Sequence, residues 1–483
     1  MSEKMPSGWV QTGSFEPDRH FYPRVLNAQL HPLVNDFIGL GHDRIINRYV
    51  HLRPNVDREA LRALLLEPPR HFRWGGADLF LATTETGVRK VVVVETNSCP
   101  SGQKSMPVRD DPEGQAGYRA LLERAFLPAM KKRALPAGGL AVLYDKNPME
   151  NTGYAATLAD LTGEPVALVP FMDGAKEPLA RFDDGVLYVR TRVDEPWEPI
   201  RAAFRYVTQR PWNRIPPVTK TLIFNPVLVC LAGGRNKALA AKAYDLMNGS
   251  LRATGLRIAV PETIWDVARG DVPLWVERMG GVAVVKNPYS NAGQGVYTIT
   301  SPRELDAFMS LAHRYDRFIV QALVGNSRWS SLGRDGRLYH IGTVPDRHGR
   351  IYVSDLRFMV GAGPGGFFPI ALYARRARAP LTEEITPDTD SWAMLGTNLS
   401  VKADDGGWDT ETARLRLMDS RDFNKLGVGV DDLIEGYVQT VLAITAIDRM
   451  ATQLVNQKGA FRPRVFASMN PDEALVQEIL DKC

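Results

Sequence analysis

The sequence predicts an α+β protein built from more than one packed unit. Its 483 residues are enough for two or three domains with sizeable cores. Strand-like apolar segments recur in pairs joined by turn residues, and one block near 138–192 switches to a strand–helix texture.

Along the chain, residues 1–56 are mixed and punctuated by proline, and a short helix is expected at 57–66. "ADLFLATTETGVRKVVVVE" (77–95) alternates, turns at Thr86-Gly87 and then becomes apolar, which reads as a β-hairpin with a buried second strand. Residues 113–134 read as an amphipathic helix with its basic residues near the C-terminus, where the helix dipole favours them. "GGLAVLYD", "NTGYAATLADLTGE", "PVALVPF" and "GVLYVRTR" read as strand, helix, strand, strand, a small α/β unit. "IRAAFRYVTQ" reads as a helix, followed by a proline-rich connection at 209–220. From 221 a strand-like segment, a turn and a helix are expected, then two strands joined by a Gly/Asn loop over 280–300. Ser301 as N-cap, Pro302 and Glu304 open another helix. "RFIVQALVG" (317–325) is a buried strand, 328–378 a run of antiparallel strands, and 430–457 a closing helix before one last short helix. The expected divisions are 1–137, 138–215 and 216–483.

Composition excludes several classes of function. Hydrophobic residues at 44% and charged residues at 24% suit a soluble globular protein. The net charge of +4 comes from scattered arginines without a dense basic run, so nucleic acid is not expected as a partner. Cys99, Cys230 and Cys483 are sparse and unspaced, which argues for a reducing compartment and against a disulfide framework or zinc site. The N-terminal residues lack the apolar core of a signal peptide and no run is long enough for a bilayer, so a cytoplasmic protein is expected.

"VVVVETNSCPSGQKSMP" (91–107) is a buried strand that ends in Glu95, Thr96 and Asn97 and runs into a loop of small residues. Side chains at i and i+2 of a strand share a face, so Glu95 and Asn97 reach one ion. In "VVKNPYSNAGQGV" (284–296), Lys286 ends a buried strand ahead of a flexible loop. Such a loop can fold its N–H groups around phosphate oxygens with the lysine as point charge, although a plain hairpin with a solvated lysine has the same pattern. "RFIVQALVG" suits a grip on a purine ring through backbone hydrogen bonds, with Gln321 and Val324 as candidates, and Lys237 starts a helix upstream. There is no G-x-x-x-x-G-K-[ST] loop. "GAGPGG" (361–366) formally satisfies a dinucleotide fingerprint, but the bulky segment after it favours a hairpin turn. Cys99 has no histidine near it in sequence and reads as a packed small residue. The histidines lack ligand spacing.

Two lysines, a glycine loop between strands and a following strand resemble the ATP-grasp superfamily. In most of its members the Glu-x-Asn metal motif follows the lysine loop, whereas here "ETN" precedes Lys286 by about 190 residues. Eukaryotic-type glutathione synthetase and glutathionylspermidine synthetase share this reversed order and are circularly permuted. The resemblance runs over roughly 75–405. It implies a permuted ATP-grasp fold with a smaller α/β substrate unit, ATP and Mg²⁺ as cofactors, and Asp78, Glu95 and Asn97 as magnesium ligands. Lys237, Lys286, Tyr289, Asn291, Gly293, Gln294 and Gly295 are implied at the nucleotide. Arg192, in "GVLYVRTRVDE", and Arg357 are implied as catalytic cations beside Lys286, and Ser98, Ser101, Lys104 and Asn398 as contacts to substrate. Two departures stand out: Asn291-Ala292 replaces the usual loop acid, and Gly76 stands where an arginine precedes the hairpin aspartate, with Arg73 nearby. The implied reaction is ADP-forming ligation of a small-molecule carboxylate to an amine, with glutamate or a γ-glutamyl compound as a reasonable donor. A kinase on the same fold and a non-catalytic ATP-binding protein are the alternatives. Oligomeric state is not indicated.

Overall fold

The computed structural model describes residues 5–107, 114–131, 134–208, 214–290, 295–386, 388–402 and 408–480. Strands Trp74–Thr84 and Arg89–Asn97 form the hairpin expected around Thr86-Gly87, and Gly87 supplies the left-handed φ of 79° that the turn requires. On its other edge Trp74–Thr84 pairs with Ser354–Gly363, which turns back into Gly366–Arg376. "GAGPGG" is that second turn, with Gly363 opposite Gly366, so the hairpin reading holds. Leu338–His340 and Leu415–Arg416 complete this antiparallel sheet. Helix Val430–Gln453 packs across it and is buried along most of its length. Gly436 lets the helix approach: a Cβ there would meet Leu79 Cδ1 at 3.1 Å.

A seven-stranded mixed sheet forms the second layer. Gly139–Tyr144 runs parallel to Val166–Pro170 on one side and to Glu198–Tyr206 on the other, and helix Pro148–Thr162 makes the crossover between the first two. Gly8–Val10 and Leu222–Phe224 add strands from either side in sequence. "IRAAFRYVTQ" is therefore a strand rather than the expected helix. Ile200 and Ala202–Tyr206 are all buried, so the segment lacks the period-2 alternation that marks a half-exposed strand. Even Arg205 is fully buried; its guanidinium donates to the carbonyls of Asn225 and Val207 at 2.5 and 2.7 Å.

A four-stranded sheet, in the order Thr263–Ala268, Arg317–Gln321, Ala283–Lys286, Val296–Ile299, has its own core around Val285, Phe308 and Phe318. Helix Pro302–Ser310 opens as expected: Ser301 Oγ accepts from the Glu304 N–H, and the Glu304 carboxylate accepts from the Thr300 N–H at 2.7 Å. Helix Arg58–Leu66 also falls in place. The N-terminal residues hold four further helices, the short Pro17–His20 and Pro23–Leu26 and the longer Pro32–Gly39 and Gly41–Leu52, the first three of which open on a proline. The expected helix at 113–134 is helical over Ala116–Lys131, with a π-helical stretch at Leu122–Phe126. Of 328–378, strands occupy Leu338–His340, Ser354–Gly363 and Gly366–Arg376. Among the described residues no helix is long and apolar enough to cross a membrane.

Candidate active site

The three sheets meet around the end of strand Arg89–Asn97. Strand register places Asp78 opposite Glu95 on one side and opposite Arg357 on the other. Arg357 donates to both Asp78 oxygens, at 2.6 and 2.7 Å, and Arg375 Nη2 lies 2.8 Å from Oδ2. Arg375 also pairs with Asp355, whose carboxylate accepts from Thr397 Oγ1 at 2.9 Å. Burial alone would raise the Asp78 pKa, but the two guanidiniums outweigh it and hold the carboxyl below its usual range.

Two lysines surround Glu95, and one of them pairs with it. Lys237 opens helix Lys237–Ser250, where the Asn236 side chain caps the Leu239 N–H. Its Nζ lies 3.2 Å from Glu95 Oε1 and donates to the Ser290 carbonyl at 3.1 Å. Its N–H donates to the Pro288 carbonyl at 2.7 Å, so the helix start and the lysine loop are tied together. Lys286, at the end of Ala283–Lys286, donates to Gln321 Oε1 at 2.7 Å and to the Val94 carbonyl at 3.3 Å. Burial pulls its ammonium down to about 8 against the opposing pull of Glu95. Burial pushes the Glu95 carboxyl up, and Lys237, helped by Lys286 and Arg235, brings it below its ordinary value.

Two cavities, of about 560 and 280 Å³, open on these groups. Glu95, Arg235, Lys237, Lys286 and residues 321–324 line both. The larger is walled by Val91, Val92, Val94, Tyr244 and residues 259–263. The smaller reaches Asp78, Asn97, Ser101, Lys104, Arg357 and Asn398. Eleven positions that the sequence singled out thus share one paired cavity, Gln321 and Val324 among them.

Other candidates stand elsewhere. Arg192 is exposed and pairs with Glu195 at 3.1 Å on the surface, lining neither cavity, so its expected catalytic role is withdrawn. Ser98 is fully buried with Oγ 3.1 Å from Cys230 Sγ; its place is packing rather than substrate contact. Asp78 is corrected as a magnesium ligand, because both oxygens are taken by guanidiniums whose charge opposes a cation there. Tyr289 is buried beside Asn236 and lines neither cavity. Gly295 closes the lysine loop with φ of 67° and accepts from the Asn287 N–H at 2.7 Å. Asn291, Gly293 and Gln294 lie outside the described residues. Arg73, half-buried, also lines neither cavity.

Sequence reasoning missed Arg235, Asp355, Arg375, Lys146 and Glu150. The Glu150 carboxylate accepts from Ser101 Oγ and from the N–H groups of Gly102 and Gln103, each at 2.9 Å, and so fixes the small-residue loop. Only strand register or tertiary contact brings these residues to the site, and no local spacing signals them.

Among the described residues no group of three or more His, Cys, Asp or Glu could hold a metal. Glu95 and Asn97 remain as oxygen donors facing the smaller cavity, and the Asn97 amide is weakly held, accepting from Arg235 at 3.4 Å. That donor set fits Mg²⁺ carried in by phosphate oxygens, since Mg²⁺ keeps waters and phosphates as its other ligands.

No protein-family model matches the chain, and no curated protein does. Solved structures show distant likenesses. A glutathione synthetase-like effector from Globodera pallida is 9% identical over 72% of this chain and 86% of its own, with a TM-score of 0.39. A RimK domain ATP-grasp protein from Sphaerobacter thermophilus is 16% identical over 48% and 89%, at 0.29. The ATP-grasp ligase PsnB, solved with a minimal precursor, is 12% identical over 62% and 98%, at 0.28.

Proposed function

We propose that the chain is an ATP-dependent, ADP-forming carboxylate–amine ligase of the ATP-grasp type, with the order of its site motifs permuted. The observation that carries this is the meeting of Lys237 and Lys286, delivered by a helix and a separate sheet, at the end of one strand where two cavities join: Lys237 pairs with Glu95, and Lys286 donates to the carbonyl of its neighbour Val94. The larger cavity takes the nucleoside and the smaller one the acyl donor and amine. In this reading the divisions 1–137, 138–215 and 216–483 are parts of one catalytic body, and the buried free thiols of Cys99 and Cys230 suit a reducing, cytoplasmic setting.

A carboxylate is a poor electrophile. Its attack on the γ-phosphorus of ATP gives an acyl phosphate and ADP, and an amine then displaces phosphate to form the amide. Lys286 and Lys237 neutralise charge on the transferring phosphoryl group. Glu95 and Asn97 would hold Mg²⁺ arriving with the nucleotide, which would supply further charge neutralisation. Arg357, held rigid by Asp78, faces the acyl group. The loop pinned by Glu150 and the lysine loop keep water from the acyl phosphate.

Nucleotide binding should weaken as pH rises through about 8, because Lys286 loses its proton there. Binding should also take up protons near that pH, since phosphate raises the lysine pKa. Calorimetry in buffers of different ionisation heat measures both; an affinity flat from pH 7 to 9.5 would exclude Lys286 from the phosphates.

The reaction itself is tested with a pairwise screen of acids and amines for ADP release. Hydroxylamine should trap the activated donor as a hydroxamate, and donor carboxylate labelled with ¹⁸O should pass one label into phosphate. Release of AMP, or label retained wholly in the product, overturns the mechanism. A phosphorylated product with no amide indicates the kinase instead.

A further inference from the structure

Seven lysine and arginine side chains line the smaller cavity against three carboxylates. The carboxylates are already answered: Asp78 by Arg357, Asp355 by Arg375, and Glu95 by Lys237. Lys286 faces the mouth shared with the larger cavity. Two further lysines, Lys104 and Lys146, meet no carboxylate at ion-pair distance among the described residues. Lys104 Nζ donates to Asn147 Oδ1 at 3.4 Å and sits 5.1 Å from the Tyr22 ring centre. Lys146 Nζ makes no hydrogen bond or ion pair with the described residues. Its neighbour Asp145 is occupied by the Thr208 N–H at 2.7 Å and by Arg214 at 3.2 Å. Arg235 and Arg357 oppose the Lys146 charge, and Asp145 and the Cys99 thiol favour it.

The place in the fold agrees. Lys146 follows strand Gly139–Tyr144 at its carboxyl end, between parallel neighbours whose connections part there. In open α/β sheets that crevice is where ligands bind. Asn147 next to it holds a left-handed φ of 53° and donates to Tyr206 Oη at 2.9 Å, strain of a kind that clusters at binding sites. Burial, reinforced by Arg235, pulls the Lys146 ammonium down to about 8. An anion entering the cavity relieves that cost.

We propose that Lys146 and Lys104 form an anion subsite for a second, non-reacting carboxylate of the acyl donor, which makes the donor a short dicarboxylic or amino-dicarboxylic acid. The assignment of the donor rests on the ligase reading above; the subsite itself rests on the cavity.

Glutarate and butyrate, titrated by calorimetry into the full chain with and without magnesium and a non-hydrolysable ATP analogue, test it. Glutarate should bind at least about tenfold more tightly than butyrate. Lys146→Met should remove that advantage, leave butyrate and the ATP analogue unchanged, and melt higher than the parent without ligand. Lys146→Arg should restore most of the glutarate affinity. Equal binding of the two acids, or an unchanged glutarate affinity in Lys146→Met, overturns the subsite. A Lys146→Met protein that melts below the parent also overturns it, because that marks a structural lysine. Lys146-dependent glutarate binding in a protein that ignores the ATP analogue upholds the subsite and removes the ligase reading alone.

Discussion

Lys286→Met should lower turnover by on the order of 10²–10³-fold, the usual cost of losing one group aimed at developing charge. The nucleotide affinity should fall with it, since the same ammonium binds phosphates before and during transfer. Stability should not fall. Lys286 is buried, burial depresses its pKa to about 8 against the pull of Glu95, and its hydrogen bonds go to the neutral Gln321 amide and the Val94 carbonyl, so the fold bears a net desolvation cost that methionine removes. The sign can be checked against pH. A lysine whose folded pKa lies below its unfolded value makes the fold more stable as pH rises between the two, and the variant should lack that rise. Calorimetry with an ATP analogue and a thermal melt separate the outcomes. Unchanged nucleotide affinity, or a destabilised variant, would show that Lys286 serves the fold and not phosphate.

Asp78→Asn should cost about 3–5 kcal/mol of stability, the range for breaking a buried ion pair by removing one charge. It removes the carboxylate that two buried guanidiniums share and leaves Asp355 alone to balance Arg357 and Arg375. Because the folded pKa is depressed, the contribution of Asp78 is fully present above its ordinary value near 4 and is lost as pH falls below it. The parent should therefore lose stability in acid more steeply than the variant. Urea melts at pH 7 and pH 3 measure both effects. A variant as stable as the parent at pH 7 would mean that the ion network contributes nothing to the fold.

Much of the site was legible where chemistry lies along the chain. The Thr86-Gly87 turn between two strand-like runs fixed the hairpin, and the one-residue spacing of Glu95 and Asn97 fixed their common face. Lys286 was visible because a buried strand ends in a charge before a glycine loop. The network around Asp78 was not. Arg375 lies in the basic run "YARRARAP", where nothing sets it apart from its neighbours, and only the pairing of Ser354–Gly363 with Gly366–Arg376 brings it against Asp355. Strand Glu198–Tyr206 was misread because both its faces are buried, which erases the alternation. Arg192 misled for the opposite reason: it follows a strand convincingly, but its loop carries Asp194 and Glu195, which hold it at the surface.

The pairing of Asp78 with Arg357 spans 279 residues of chain. A ribosome adding ~5–20 residues per second needs roughly 15–55 s to produce the second partner after the first. During that interval Trp74–Thr84 has its hairpin neighbour but not Ser354–Gly363, so one edge of an eleven-residue, largely apolar strand stays open. An open edge of that kind pairs readily with other chains. Asp78, still without its guanidiniums, keeps an unpaired charge on that strand until residue 357 of the 483 has been made. A charge on an open strand disfavours pairing with other chains, so the carboxylate that locks the finished site is also suited to the unfinished one.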